Sequence, residues 1–469
     1  MHESTPFLDP NDCLCVLEQS PGLFKLFTGL SLCFPVSDAS LHSAIVNTLT
    51  AGLERLSASF PWIAGQVVNE GASEGISGVF KIIPLEMIPR LVVKDYRDDP
   101  LIPTWNTLRE ANFPFSMLDE SIIAPRKTLP TSDEDASEPV QVFLVQANFV
   151  NGGLLLTFVG QHQSMDMIGQ GLIMDLLSKA CRNEPFTPEE LSTGNLTRRN
   201  LVPLLDDSYE AGPEIAHQIV KPTLPDPVST NTDGASVPPF SLSISTWAYF
   251  TFSPVSLAAL KSFAIKTLTL SSGYISTDDT LSAFIWQSVI RARLHRSEPS
   301  DKTTFTRAVD QRRYLGISPT YLGALQNMTY NTYTLQKLVD EPLGAIASQL
   351  RLAVDPKTSN LSYQTRAMAT AMARAPDKDA ISVTATTDLG KDVLLSSWAK
   401  LDCYELDFNL GLGKPEAVRR PQLILVESLM YFMPKRLDGE ITVGLCLRDG
   451  DMERLRGDEE FGKYAEYVG

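Results

Sequence analysis

The chain has 469 residues, 43% hydrophobic and 20% charged, an ordinary balance for a folded globular protein. Its formal net charge of -16 and pI of about 4.9 argue against nucleic acid and against an anionic membrane surface, both of which need a basic face. The length allows two or three domains, with enough core to dispense with a metal or disulfide staple.

In chain order, Met1-His2-Glu3-Ser4-Thr5-Pro6 shows neither a basic nor an apolar signal-peptide region, and no apolar run is long enough for a membrane span. A cytoplasmic protein is expected. The six cysteines, Cys13, Cys15, Cys33, Cys181, Cys403 and Cys446, are scattered without a C-x-x-C pair, so buried thiols and no metal site are expected. Leu41, Ile45, Leu49, Leu53 and Leu56 recur at helical spacing, with Ser37 or Asp38 as a cap. Pro61 is expected to end that helix and a strand to begin in Phe60–Val68.

Residues 119–138, polar and rich in Pro, Ser and Asp, read as a surface loop. Val140–Gln146 alternates like a strand, Asn151-Gly152-Gly153 is a turn signal, and Leu154–Gln161 is a second strand. A helix after Asp166 is expected to bury Ile168, Leu172, Ile173, Leu176 and Leu177. From Asp206 to about Phe240, Pro, Asp, Ser, Thr and Gly dominate without periodicity, which reads as an interdomain crossover. A strand is expected to follow from Ser243. The expected division is residues 1–205, a linker at 206–240, and 241–469. Strands and amphipathic helices without regular βαβ alternation indicate an α/β fold of the mixed, α+β kind.

Two segments carry chemistry. Of the five histidines, His162 alone lies where a strand hands over to a helix, in His162-Gln163-Ser164-Met165-Asp166. An imidazole there can take a proton near neutral pH, and an aspartate four residues on can fix its loop. The second segment is Asp407-Phe408-Asn409-Leu410-Gly411-Leu412-Gly413-Lys414-Pro415. It is not a phosphate-binding P-loop, because Phe408 replaces the first glycine and Pro415 the Ser/Thr.

Together these segments resemble the paired H-x-x-x-D and D-F-G-W-G signatures of the BAHD-like acyl-CoA acyltransferases. Four more blocks are similar to that family in the same order: Phe60–Gln66, Thr277–Trp286, Val309–Arg313 and Ser396-Ser397-Trp398. The Asn-Leu-Gly-Leu-Gly-Lys-Pro variant looks most like the fungal branch that includes trichothecene 3-O-acetyltransferases. The resemblance implies two chloramphenicol-acetyltransferase-like sandwich domains with an active-site channel between them. It also implies acetyl or short-acyl transfer from acyl-CoA to a hydroxyl of a fungal secondary metabolite, by direct attack within a ternary complex. Acyl-CoA would be a co-substrate rather than a resident cofactor, and the enzyme a monomer.

By the same resemblance His162 is the general base, Asp166 orients the loop with Arg312 as partner, and Asp407 is structural. Ser396, Ser397, Trp398 and Lys414 are candidates for coenzyme A, with Arg419 and Arg420 as further phosphate partners. No G-x-S-x-G elbow or paired nucleophile suggests an acyl-enzyme. Leu410 stands where the family has tryptophan, so an indole N–H is excluded as oxyanion donor and that role is unfilled. Two alternatives stay open at this point. One is a free-standing condensation-type enzyme using carrier-bound acyl groups, although Gln161 and Met167 depart from its H-H-x-x-x-D-G motif. The other is a non-catalytic binding relative.

Overall fold

The computed structural model describes residues 13–221, 245–269 and 273–469. Strands run β1 (Phe27–Pro35), β2 (Gln66–Glu70), β3 (Val79–Ile83), β4 (Arg90–Asp95), β5 (Phe143–Val150), β6 (Gly153–Gln161) and β7 (Ser245–Phe252). They continue as β8 (Lys302–Asp310), β9 (Gln326–Thr334), β10 (Val393–Ser397), β11 (Ala417–Arg419), β12 (Leu429–Phe432), β13 (Ile441–Arg448) and β14 (Glu466–Tyr467). Two large mixed sheets result, ordered β11-β1-β6-β5-β4 and β14-β7-β13-β12-β10-β8-β9, with β2 and β3 as a separate pair. This is the mixed α/β architecture expected.

The first sheet is antiparallel except where β4 runs parallel to β5. Every residue of β5 and β6 is buried, so these strands are covered on both faces. The helix His42–Ser59 turns Ile45, Leu49, Leu53 and Leu56 inward, and the helix Met167–Cys181 joins it in the same core. That core also takes in Trp398, Phe408, Leu410 and Val418 from late in the chain. Strand β11 lies within 241–469 by sequence yet forms the edge of the first sheet, pairing Arg419 with Ser31 of β1. A second core lies around the helix Thr277–Arg293, whose capping box joins Ser276 and Asp279.

Several local expectations change. Pro61 does not lead directly into a strand. It opens a 3₁₀ turn, Pro61–Ala64, because its fixed φ suits the first helical position, and β2 starts at Gln66. Asp38 caps a short 3₁₀ turn at Ala39–Leu41, accepting the Ser40 N–H at 2.8 Å, and the α-helix proper begins at His42. The segment 119–138 is no bare surface loop. It carries the short helices Glu120–Ile123 and Asp133–Ser137 and buries Glu120, Ile123, Arg126 and Thr128. Its polar residues are inside because they bond one another. Glu120 Oε2 accepts from the Thr128 N–H at 2.8 Å and hydroxyl at 2.7 Å.

After Asp166, Ile173, Leu176 and Leu177 are buried, while Ile168 and Leu172 are half-buried against the core. All cysteines are free thiols, buried except half-buried Cys13. Of the expected crossover, residues 206–221 are described; 222–240 and the first residues of the expected strand, Ser243 and Ile244, lie outside the described residues, as does Met1–Pro6. Among the described residues no helix is long and apolar enough to cross a membrane, and no cluster of side chains could hold a metal ion.

Candidate active site

Strand β6 ends at Gln161, and the chain turns through His162–Asp166 into the helix Met167–Cys181. Gln161 builds the turn. Its amide donates to the carbonyls of Leu23 at 3.1 Å and Phe24 at 3.0 Å, and its Oε1 accepts the Ser164 N–H at 2.7 Å. The Ser164 hydroxyl donates back to the Gln161 carbonyl at 2.9 Å, and the His162 N–H donates to Leu26 at 2.9 Å.

His162 is half-buried. Its Nδ1 lies 3.3 Å from the Met165 carbonyl, which can only accept, so Nδ1 carries the proton and Nε2 the lone pair. The amide Nε2 of Gln326, the first residue of β9, lies 3.4 Å from that lone pair. Burial lowers the imidazole pKa; the Met165 carbonyl and Asp166 oppose this, and the charge of Arg420 adds to it. The ring is therefore neutral at pH 7.

Asp166 faces away from that lone pair into the protein and is 4% exposed. Oδ1 caps the following helix, accepting the Gly169 N–H at 2.8 Å. Arg312, 1% exposed, holds the carboxylate in a two-pronged pair, Nη1 to Oδ2 at 2.9 Å and Nη2 to Oδ1 at 3.0 Å. The Leu325 N–H reaches Oδ2 at 2.9 Å. Burial pushes the Asp166 carboxyl up, but Arg312 and these N–H groups outweigh it and leave the pKa below its ordinary value. Arg312 spends its remaining donors on Asp310 at 2.7 Å and on the carbonyls of Tyr321 at 2.9 Å and Gly323 at 2.6 Å, so all five N–H groups are satisfied. Its pKa is correspondingly high.

Arg312 and Gln326 stand at the two ends of the β8–β9 connection, where Asp310 pairs in register with Gln326. The loop of the first sheet is thus clamped by one connection of the second. A further brace was not foreseen. Arg198 Nη1 donates to the Ser164 carbonyl at 2.7 Å and to Glu18 Oε1 at 2.6 Å. Glu18 also accepts the N–H groups of Ala324 at 2.9 Å and Cys15 at 2.7 Å. A lone glutamate in the apolar stretch Cys13–Leu17 onward is the available sequence signal, since a buried charge demands a partner. Gln326 leaves no such signal.

The late segment meets the same helix from its far end. The Asp407 carbonyl accepts from the Ser178 hydroxyl at 2.9 Å and from Arg182 at 2.6 Å, while its carboxylate accepts the Asn409 N–H at 2.8 Å. Asn409, Gly411 and Gly413 take positive φ values of 56°, 76° and 70°, a turn that side chains resist and glycine permits. Phe408 stacks on Phe158 of β6 at 5.5 Å.

The residues proposed for coenzyme A are less uniform. Ser396 and Trp398 bond each other, Nε1 to Oγ at 2.9 Å, and Ser397 donates to Asp278 at 2.5 Å. Lys414 is exposed and ion-paired with Glu405. Arg419 is unsuited to a phosphate. It is fully buried and its guanidinium is spent on the carbonyls of Phe113, Val418 and Asn112. Arg420 is also buried, its guanidinium 4.6 Å from the Tyr431 ring and 5.3 Å from that of Trp398.

Comparison with known proteins gives the family. The profile of the Transferase family matches residues 124–461, and that of the trichothecene 3-O-acetyltransferase-like N-terminal domain matches residues 26–181. The O-acetyltransferase dmxR13 of a Cryptosporiopsis species is 57% identical over 97% of both chains. Trichothecene 3-O-acetyltransferase TRI101 of Fusarium sporotrichioides is 52% identical, again over 97% of each. The crystal structure of F. graminearum TRI101 with coenzyme A and deoxynivalenol superposes with a TM-score of 0.91 at 50% identity, covering 97% of this chain and 99% of that one. The chain therefore belongs to the Transferase family, with a trichothecene 3-O-acetyltransferase-like N-terminal domain, and is an acyl-CoA-dependent O-acyltransferase.

Proposed function

We propose that this chain moves an acetyl or short acyl group from acyl-CoA to a hydroxyl of a fungal secondary metabolite, with His162 as general base and without an acyl-enzyme. The observation that carries the reading is the state of the imidazole. Nδ1 is committed to the Met165 carbonyl, burial favours the neutral ring, and Nε2 keeps its lone pair for an incoming hydroxyl.

The acceptor's hydroxyl attacks the thioester carbonyl as its proton passes to Nε2. Collapse of the tetrahedral intermediate breaks the C–S bond, and the same proton leaves with the thiolate of coenzyme A. Asp166 and Arg312 are positioning residues that hold the loop, and Asp407 positions the helix behind it. The described cysteines are free, and burial raises the thiol pKa of Cys15, Cys33, Cys181, Cys403 and Cys446, so these five are poor nucleophiles. Direct transfer is the simpler course. The free, mostly buried thiols suit a reducing compartment such as the cytoplasm, and a monomer is part of the same proposal.

Among the coenzyme A candidates, Ser396, Ser397, Trp398 and Lys414 stay in the proposal, with Arg420 and without Arg419. The test is thiol release from acetyl-CoA against hydroxylated fungal metabolites, starting with deoxynivalenol, alongside intact-protein mass measurement with acetyl-CoA alone. Acceptor-dependent release and an unmodified protein are expected. An acetylated protein that forms and is discharged by the acceptor overturns direct transfer.

A further inference from the structure

We propose that Gln326 is a catalytic residue of this site: its side-chain N–H donates to the thioester carbonyl oxygen as that oxygen gathers negative charge. The inference rests on the acyl-transfer reading above and fills the role that Leu410 leaves open. Leu410 is buried and apolar and offers no N–H.

Gln326 Nε2 lies 3.4 Å from His162 Nε2, long for a hydrogen bond, and this is its one side-chain hydrogen bond among the described residues. Its second N–H and its carbonyl oxygen are uncommitted. Three neighbouring side chains are spent on protein oxygens: Gln161 on Leu23 and Phe24, Ser164 on the Gln161 carbonyl, and Arg312 through all five N–H groups, while Arg420, whose buried Nε has no partner among the described residues, packs its guanidinium on Tyr431 and Trp398. The backbone beneath Gln326 is fixed. On one side the Leu325 N–H bonds Asp166 and the Leu325 carbonyl accepts from the Gln311 N–H at 2.8 Å. On the other, Asn327 is anchored by Gln218 at 2.6 Å and Thr365 at 2.9 Å. The carboxylate that orients the base therefore also places this amide, as a pre-organised donor requires.

A hydroxyl that bonds Nε2 displaces the amide from the ring nitrogen and leaves its N–H facing the carbon under attack. As the hydroxyl oxygen bonds that carbon, its proton goes to His162 Nε2 and the carbonyl π pair moves onto oxygen, where Gln326 donates. When the π bond reforms, the C–S pair leaves with sulfur and His162 returns the proton. Removing one oxyanion donor costs about 10²–10³-fold in kcat.

The test compares the wild type, Gln326→Ala, Gln326→Glu and His162→Ala with acetyl-CoA and deoxynivalenol, and with acetyl-CoA and water alone. Gln326→Ala is expected to lose about 10²–10³-fold in kcat while KM for both substrates, coenzyme A affinity and melting temperature stay near wild type. Gln326→Glu keeps the shape, sets a carboxylate against the oxyanion and raises the His162 pKa. It should lose at least as much and move the acid limb of kcat/KM to higher pH. A kcat within about threefold of wild type in Gln326→Ala, or a loss confined to KM, overturns the inference. If His162→Ala is inactive and Gln326→Ala active, this inference alone falls. An active His162→Ala, or no turnover by the wild type in either arm, overturns the acyl-transfer reading and this inference with it.

Discussion

At the scale of single residues, the site depends on a division of labour between two neighbours in one loop. His162 keeps its Nε2 lone pair, and Asp166 is turned inward and spent on four N–H donors. The groups that face His162 electrostatically are Asp166, which raises its pKa, and Arg420, which lowers it; burial dominates and the net shift is downward. A lowered imidazole pKa keeps His162 neutral, as the proposed base must be, to lower pH. The acid limb of kcat/KM should then fall below 6.5, the ordinary imidazole value, and a pH–rate profile with an acid limb at or above that value would contradict the burial of the ring. Arg312→Met leaves the Asp166 carboxylate buried without its counter-charge. Denaturant unfolding should show a loss of about 3–5 kcal/mol. His162, Asp166 and Arg312 were legible because short motifs carry them, and Arg312 could be paired with Asp166 only through the resemblance. Gln326 was not, because a residue on a strand 164 positions from its partner leaves no local pattern, and of the Glu18–Arg198 brace only the lone glutamate in an apolar stretch was visible, its partner lying 180 positions away.

At the scale of elements, the helix Met167–Cys181 transmits order from the loop to the rest of the molecule. Asp166 caps it at one end and Asp407 is held against its other end by Ser178 and Arg182. Its first turn touches the β8–β9 connection closely. A Cβ at Gly169 would lie 2.1 Å from the Leu322 carbonyl, a backbone atom that cannot swing aside. Gly169→Ala should therefore lower stability by about 1–3 kcal/mol. It should also lower activity, since Leu322 leads directly to the Leu325 N–H that holds Asp166; thermal unfolding and thiol release read the two effects. The amphipathic helix at Leu41–Leu56 and the β5–β6 hairpin were readable from periodicity and turn residues. Residues 119–138 were misjudged because their polarity is internal: Glu120, Arg126 and Thr128 satisfy one another or nearby groups while buried. At Pro61, a favourable first position in a 3₁₀ turn outweighed the simpler reading of a helix stop followed by a strand.

At the scale of the whole molecule, the proposed chemistry depends on how the two large sheets meet. His162 stands on a loop of the first sheet, and Arg312 and Gln326 stand on the β8–β9 connection of the second. The late segment returns as β11 to close the edge of the first sheet. Composition and periodicity gave the mixed α/β class, but three-residue β11 is too short to be seen that way. The two-domain arrangement came from the resemblance. The central claim, that this junction exists to present His162 as a base, is tested most directly by kcat/KM for acetyl-CoA in a folded His162→Ala variant with an accepted alcohol. A loss of about 10²–10⁴-fold with unchanged melting temperature and coenzyme A affinity is the predicted result, and a variant that transfers at the wild-type rate would contradict it.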